Sequence, residues 1–189
     1  MYISKMDTLK ETQLTTEAVF DGALLHVRKD KVKLPNGKTS VREYIKHPGA
    51  VAIVPYLENG DVLLLNQFRY PLKKVFIELP AGKIDPGEIP EQTGFRELEE
   101  ETGYKASELK FLTTIHPCIG YSDEVIYIYE AFGLIEGSKQ TDDNEFTEPF
   151  ILSLDDAIQK VRNGEITDVK TMIGLMSAKM RKDDHEPQK

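Results

Sequence analysis

Arg96-Glu97-Leu98-Glu99-Glu100-Glu101 packs four carboxylates and a guanidinium into a six-residue run. Turned at about 100° per residue as a helix, Thr93, Arg96, Glu97, Glu100 and Glu101 fall on one side. Phe95, Leu98 and Thr102 fall on the other, which suits docking on a core. Carboxylates at i, i+3 and i+4 repel, each pair by roughly 0.2–0.5 kcal/mol on an isolated helix. A hard divalent cation removes that penalty, because Mg²⁺ and Mn²⁺ take oxygen ligands and bridge them to phosphates. The competing interpretation is an acidic helix face that meets only water. The flanks delimit the helix: Asp85-Pro86-Gly87 carries turn chemistry, Pro90 suits a first helical turn, and Gly103 suits a left-handed terminator.

The whole pattern runs Gly82, five residues, Glu88, seven residues, then Arg96-Glu97-Leu98-Glu99-Glu100-Glu101-Thr102-Gly103-Tyr104. It resembles the Nudix box of the Nudix hydrolase family. The resemblance implies Glu97 and Glu101 as metal ligands, Glu100 as an additional or bridging ligand, and the Ala81 carbonyl as a ligand from the loop. It implies Mg²⁺ as cofactor, with Mn²⁺ as the alternative ion. Arg96 either orients a glutamate or ties helix to loop, and Glu88 is expected to hold the loop against the helix. Glu99 points away from this face and is expected to be solvated.

The elements that must position this run are legible on both sides of it. Residues 1–14 are polar and expected to fray, and 15–19 and 23–33 look extended. A turn at Pro35-Asn36-Gly37 leads into 39–46, giving a small antiparallel sheet. Residues 50–55 form a strand, with Asn59-Gly60-Asp61 as a hairpin turn and 62–65 as its returning strand. Residues 76–79 lead into the box, and 110–116 and 125–132 are further strands. After an acidic loop at 136–149 and a strand at 149–152, Ser153 caps a helix that Gly164 ends. Asp168 opens a final amphipathic helix, and the charged tail from Arg181 is expected to be disordered.

This order resembles the ADP-ribose and nucleoside-diphosphate-sugar pyrophosphatase branch of the family over roughly residues 15–180. Segments 40–55, 67–69, 78–82 and 120–124 carry the resemblance. It implies an α/β (α+β) fold: a Nudix α/β/α sandwich with a mixed sheet over 47–180, preceded by an antiparallel sheet over 1–46. It also implies a homodimer pairing through that first sheet, with 181–189 as a tail. The implied reaction is hydrolysis of the diphosphate linkage of a nucleoside diphosphate sugar. ADP-ribose enzymes of this branch carry a proline before the glycine corresponding to Gly120. Here Ile119 stands there, which leaves other nucleoside diphosphate sugars open.

By the same resemblance the general base lies on the acidic loop, Glu145 first and Asp143 second, against an ordinary solvated loop. Glu100 is next in line as base. Arg69, which follows a strand close to the box, and Arg42 are candidates to grip the diphosphate. Phe20 is a candidate to stack on a nucleobase, against a role in the core. The alternatives are a Nudix hydrolase of another nucleotide, or a silent Nudix-fold regulator, which would be expected to lack box carboxylates present here.

The chain has 189 residues and a net charge of −8, which argues against a nucleic-acid partner, since that needs a basic surface. One cysteine precludes an intrachain disulfide framework. The four histidines show no metal-ligand spacing. With no long apolar run and no signal-peptide pattern, the expectation is a soluble cytoplasmic protein without a membrane partner.

Overall fold

The computed structural model describes residues 7–137 and 146–185. The chain divides into two compact units, one comprising the described residues up to His47 with Cys118–Glu124, the other Pro48–Pro117 with the described residues from Val125 onward.

The first unit is a three-stranded antiparallel sheet of β1 (Thr12–Asp21), β2 (His26–Lys33) and β3 (Thr39–Lys46), with β2 central. The 34–38 turn closes with Leu34 N–H donating to the Lys38 carbonyl at 2.8 Å and Gly37 N–H to the Leu34 carbonyl at 2.9 Å. Strand β1 begins at Thr12, inside the stretch expected to fray, because its backbone groups pair with β2 from Thr12↔Lys33 to Asp21↔His26. Loop 118–124 joins this unit: Ile45 N–H donates to the Tyr121 carbonyl at 2.8 Å and His47 N–H to Asp123 Oδ1 at 2.7 Å.

The second unit is built on β4 (Ala50–Pro55), whose six residues are all buried. A strand buried on both faces must be apolar throughout, as Ala50-Val51-Ala52-Ile53-Val54-Pro55 is. Strand β5 (Val62–Arg69) pairs with β6 (Lys74–Glu78), and the short β7 (Ala81–Lys83) follows. Helix α1 (Pro90–Thr102) comes next, then β8 (Tyr104–Lys105), β9 (Glu108–Ile115), β10 (Ile126–Phe132) and β11 (Ile135–Glu136). Strand β12 (Thr147–Leu152), α2 (Leu154–Arg162) and α3 (Val169–His185) complete it. The main sheet is mixed, in the order β7-β4-β10-β9, with β4 and β10 parallel. A second sheet has the order β12-β5-β6, and β8 pairs with β11. The period of two along β4 decides the layers. Val51 and Ile53 pack with Leu98 of α1, while Ala52 and Val54 pack with Leu175 and Ala178 of α3. The mixed sheet is therefore sandwiched between α1 and α3, the α/β/α arrangement expected from the sequence.

Two local expectations are corrected. Strand β5 is not the sheet partner of β4; only Tyr56↔Val62 bridges across the 57–61 turn. Both edges of β4 are already filled, by β10 and β7, so β5 pairs elsewhere. The tail expected to be disordered from Arg181 is helical through His185, the last residue described. Arg181 Nη1 donates to Glu130 at 2.6 Å, and Nη2 to the Phe111 carbonyl at 3.2 Å. Glu130 is a buried carboxylate on an otherwise apolar strand, so it needs that partner. No helix among the described residues is long and apolar enough to cross a membrane.

Replacing Arg181 by Met should strand Glu130 with the Tyr56 hydroxyl alone. Since Arg181 is partly solvent-screened, the expected loss is roughly 1–3 kcal/mol by urea unfolding. A loss below about 0.5 kcal/mol would show that the end of α3 is not anchored there.

Candidate active site

Helix α1 starts at Pro90 and stops where Gly103 turns left-handed, at φ 78°, its N–H donating to the Glu99 carbonyl at 2.8 Å. Leu98 anchors it, fully buried against Val51, Ile53 and Leu109. The loop before the helix folds back along the charged side. Ala81 N–H donates to Glu101 Oε2 at 2.8 Å, so Glu101 and Thr93, which the helical wheel placed on the open side, are buried. The Glu97 carboxylate lies directly against Gly82: a Cβ built there would sit 1.9 Å from its Cδ and Oε1. Only glycine permits that approach.

Arg96 binds the arrangement together. Its Nε and Nη2 take the two oxygens of Glu88, both at 2.9 Å, while Nη1 reaches Glu97 Oε1 at 2.8 Å and Glu100 Oε2 at 2.9 Å. Nη2 also donates to the Lys83 carbonyl at 3.2 Å. The planar fork of arginine suits this bidentate pairing. Arg96 thus bonds glutamates of the helix and of the preceding loop at once. The hydrogen bonds from Arg96 and then Thr93 hold the Glu88 carboxyl down at about 2. Glu88 foremost raises the already high pKa of Arg96. Glu99 turns to Lys105, at 3.1 Å.

The donor set fits a hard divalent cation in its chemistry. Glu88, Glu97 and Glu100 share Arg96 on this side of the helix, and Glu97 and Glu101 have little water around them. Gly82 leaves the Glu97 carboxylate the space a Cβ would fill. In the arrangement described, Arg96 spans Glu97 and Glu100, and no three acidic, histidine or cysteine side chains converge on one point among the described residues.

Arg69, at the end of β5, is held by Glu78, at the end of β6. Nε donates to Oε1 and Nη2 to Oε2, both at 2.7 Å. Glu78 is almost fully buried, and Lys170 of α3 also donates to its Oε2. Burial alone would raise the Glu78 carboxyl, but Arg69 and Lys170 outweigh it and hold it below the usual carboxylate range. Arg69, Phe76, Glu78, Thr167 and Lys170 line an open cleft of about 400 Å³. Glu78 and Lys170 were not singled out from the sequence. The available signal was a lone carboxylate closing the apolar run Val75-Phe76-Ile77.

Phe20 and Arg42 belong to the first unit. Phe20 lies on β1 and is 55% exposed, outside any core. Arg42 lies on β3, where Nη2 donates to Glu11 at 2.5 Å and Nη1 to the Val41 carbonyl at 2.9 Å. Asp143 and Glu145 lie outside the described residues.

A family model for the NUDIX domain matches residues 46–172, and one described as nucleoside diphosphate sugar hydrolase N-terminal domain matches 11–45. The chain is 38% identical over 178 residues to the ADP-ribose pyrophosphatase of Bacillus subtilis (strain 168), covering 93% of this chain and 96% of that protein. It is 40% identical over 168 residues to the methanol dehydrogenase activator of Bacillus methanolicus, covering 88% and 91%. The solved structure of an ADP compounds hydrolase superposes with a TM-score of 0.85 at 23% identity, covering 95% of this chain and 97% of that one, which establishes the shared fold.

The depressed Glu88 carboxyl predicts an acid-side weakness. A carboxyl lowered by folding stabilises fully above its unfolded value of about 4.5, and that contribution is lost as the pH falls toward 2. The melting temperature should therefore drop between pH 5 and 3 more steeply in the wild type than in Glu88→Gln. Parallel curves would remove Glu88 from the clasp. Gly82→Ala should keep the fold by circular dichroism while displacing the Glu97 carboxylate and reducing turnover at least tenfold.

Proposed function

The chain belongs to the NUDIX domain family, and on that premise we propose that it hydrolyses the diphosphate linkage of nucleoside diphosphate sugars such as ADP-ribose. The products are a nucleoside monophosphate and a sugar phosphate, and the cofactor is Mg²⁺, with Mn²⁺ as substitute. The observation that carries this reading is the set of box glutamates held by Arg96, with Glu97 against Gly82 and Glu101 bonded to the Ala81 amide. Similarity along nearly the full length to an ADP-ribose pyrophosphatase, and a match over 11–45 to a nucleoside diphosphate sugar hydrolase N-terminal domain, support the substrate class.

Glu97, Glu101, Glu100 and the Ala81 carbonyl would hold the cation. When bound, it supplies positive charge to the diphosphate and lowers the pKa of water. Phosphoryl transfer leaves the protein chiefly positioning and electrostatics. Arg96 keeps Glu97 and Glu100 aimed while its fork on Glu88 keeps the loop closed over the helix. Arg69, fixed by Glu78 at one edge of its guanidinium, offers the other edge to a diphosphate oxygen. Glu145, or in second place Asp143, takes the proton of the attacking water. Arg42 and Phe20 serve the nucleotide in a homodimer, for which the full exposure of β1, with Leu14, Val19 and Phe20, gives support.

A second reading, activation of a dehydrogenase, is favoured by the 40% identity to an activator protein. Release of nucleoside monophosphate by the purified chain alone separates the two.

With ADP-ribose and Mg²⁺, Glu97→Gln and Glu101→Gln should each lower turnover by orders of magnitude with the fold retained, and chelation should abolish it reversibly. Near wild-type turnover in both variants at saturating Mg²⁺ would sink the assignment. Glu145→Gln should lower kcat roughly 10²–10⁴-fold with little change in KM, and remove the acidic limb of the pH–rate profile. Full turnover with the limb unchanged in both Glu145→Gln and Asp143→Asn would move the base to Glu100. Light scattering at micromolar concentration should give the mass of a dimer.

A further inference from the structure

We propose that Lys170, at the start of α3, is a positioning residue for Arg69, acting through the buried carboxylate of Glu78. The assignment rests on Arg69 contacting the diphosphate in the reading above.

A buried carboxylate stays ionised only where partners replace its water. Glu78, 3% exposed at its side chain, has two: Arg69 occupies both oxygens and Lys170 adds a bond to Oε2. Lys170 is itself 11% exposed and is shared between Glu78 and Asp168, whose Oδ2 it meets at 3.0 Å. The same Asp168 oxygen accepts Thr171 N–H at 3.0 Å and the Thr171 hydroxyl at 2.6 Å, an N-cap that fixes where the lysine begins. The Thr171 hydroxyl in turn accepts the Leu79 N–H at 2.8 Å, pinning the residue beside Glu78. The first turn of α3 therefore grips the strand end at two adjacent residues.

Arg69 is different in kind. It is 43% exposed and lines the open cleft that Lys170 closes from beneath. With Nε and Nη2 committed to Glu78, Nη1 has no hydrogen-bond partner among the described residues. An arginine fork with one edge fixed presents the other edge to an oxyanion without losing rotamer freedom on binding.

Removing the Lys170 charge changes the count. Glu78 then keeps Arg69 alone, with nothing from α3 fixing its Oε2, and the guanidinium no longer has a single best position. An orienting effect of this kind weakens ground-state and transition-state contacts alike, so it appears in KM more than in kcat. A general loss of stability would not single out KM, nor depend on Arg69.

The test compares Lys170→Met, Lys170→Arg, Arg69→Ala and the double variant Lys170→Met/Arg69→Ala, with ADP-ribose as substrate. Lys170→Met should raise KM about tenfold with kcat within about threefold, and Lys170→Arg should restore most of it. In the Arg69→Ala background Lys170→Met should add nothing, because the residue through which it acts is gone. An unchanged KM in Lys170→Met, or effects that multiply in the double variant, would overturn the proposal. Where Lys170→Met fails to fold, Lys170→Gln takes its place with the same expectations. A second readout needs no turnover: the Arg69 Nε–H resonance in ¹⁵N-labelled protein, identified by its loss in Arg69→Ala. It should exchange slowly with solvent in the wild type and faster in Lys170→Met. Equal exchange in the two proteins overturns the brace even if ADP-ribose is cleaved. Absence of hydrolysis in the wild type refutes the functional reading and leaves this measurement to decide the brace.

Discussion

Arg96 is the constraint on which the candidate site depends. Four carboxylates on one face of α1 and its entry loop repel one another, and a helix carrying them would hold its side chains apart in water. One guanidinium reverses this by bonding Glu88 with one edge and Glu97 and Glu100 with the other. Because Glu88 lies before the helix and the other two within it, the same five-donor group that neutralises charge also sets the path of the loop. Gly82 completes the closure, since any side chain there would occupy the space of the Glu97 carboxylate. Lysine could supply the charge but not the two-sided geometry.

The remaining buried charges in the second unit repeat this logic at strand ends. Glu78 closes β6 and meets Arg69 and Lys170; Glu130 lies near the end of β10 and meets Arg181 and the Tyr56 hydroxyl. In each case an element distant in sequence, α3, supplies a cation to a carboxylate on the sheet. Helix α3 packs through Leu175 and Ala178 against the even-numbered residues of β4, so packing brings its two ends to the strands where those charges lie. Apolar burial and charge pairing specify the same docking. Removing one partner would leave an ion where water cannot reach it, which makes the pairs more informative about register than about stability.

Much of this was legible locally. The stretch 39–46 after the Pro35-Asn36-Gly37 turn and the apolar run 50–55 correspond to β3 and β4 residue for residue. Ser153 accepts the Asp156 N–H at 3.0 Å as the cap its position suggested. Caps, turns and alternation act within a few residues, so the chain displays them directly. The box, too, is a local pattern, and its turn, proline start and glycine stop lie where the spacing put them. What failed was non-local. A hairpin between β4 and β5 is the default for two apolar runs joined by Asn59-Gly60-Asp61, yet both edges of β4 are claimed by β10 and β7, strands distant in sequence. The frayed start and loose tail were inferred from polarity alone. Cross-strand bonds order the chain from Thr12, and Glu130 holds Arg181 near the end of α3.

By itself the sequence determined the chemistry on offer: which side chains stand on one helix, how the helix begins and ends, and which cation class such oxygens prefer. Only the tertiary structure decided how much water each of them keeps. The helical wheel treats Glu97, Glu100 and Glu101 alike, but the returning loop buries Glu101 under the Ala81 amide, sets Glu97 on Gly82 and leaves Glu100 partly exposed. It likewise gave Arg69, by sequence a candidate to grip the diphosphate, a fixed edge through Glu78 and Lys170. The physical reason is that desolvation depends on what folds over a group, and a sequence records only what lies beside it.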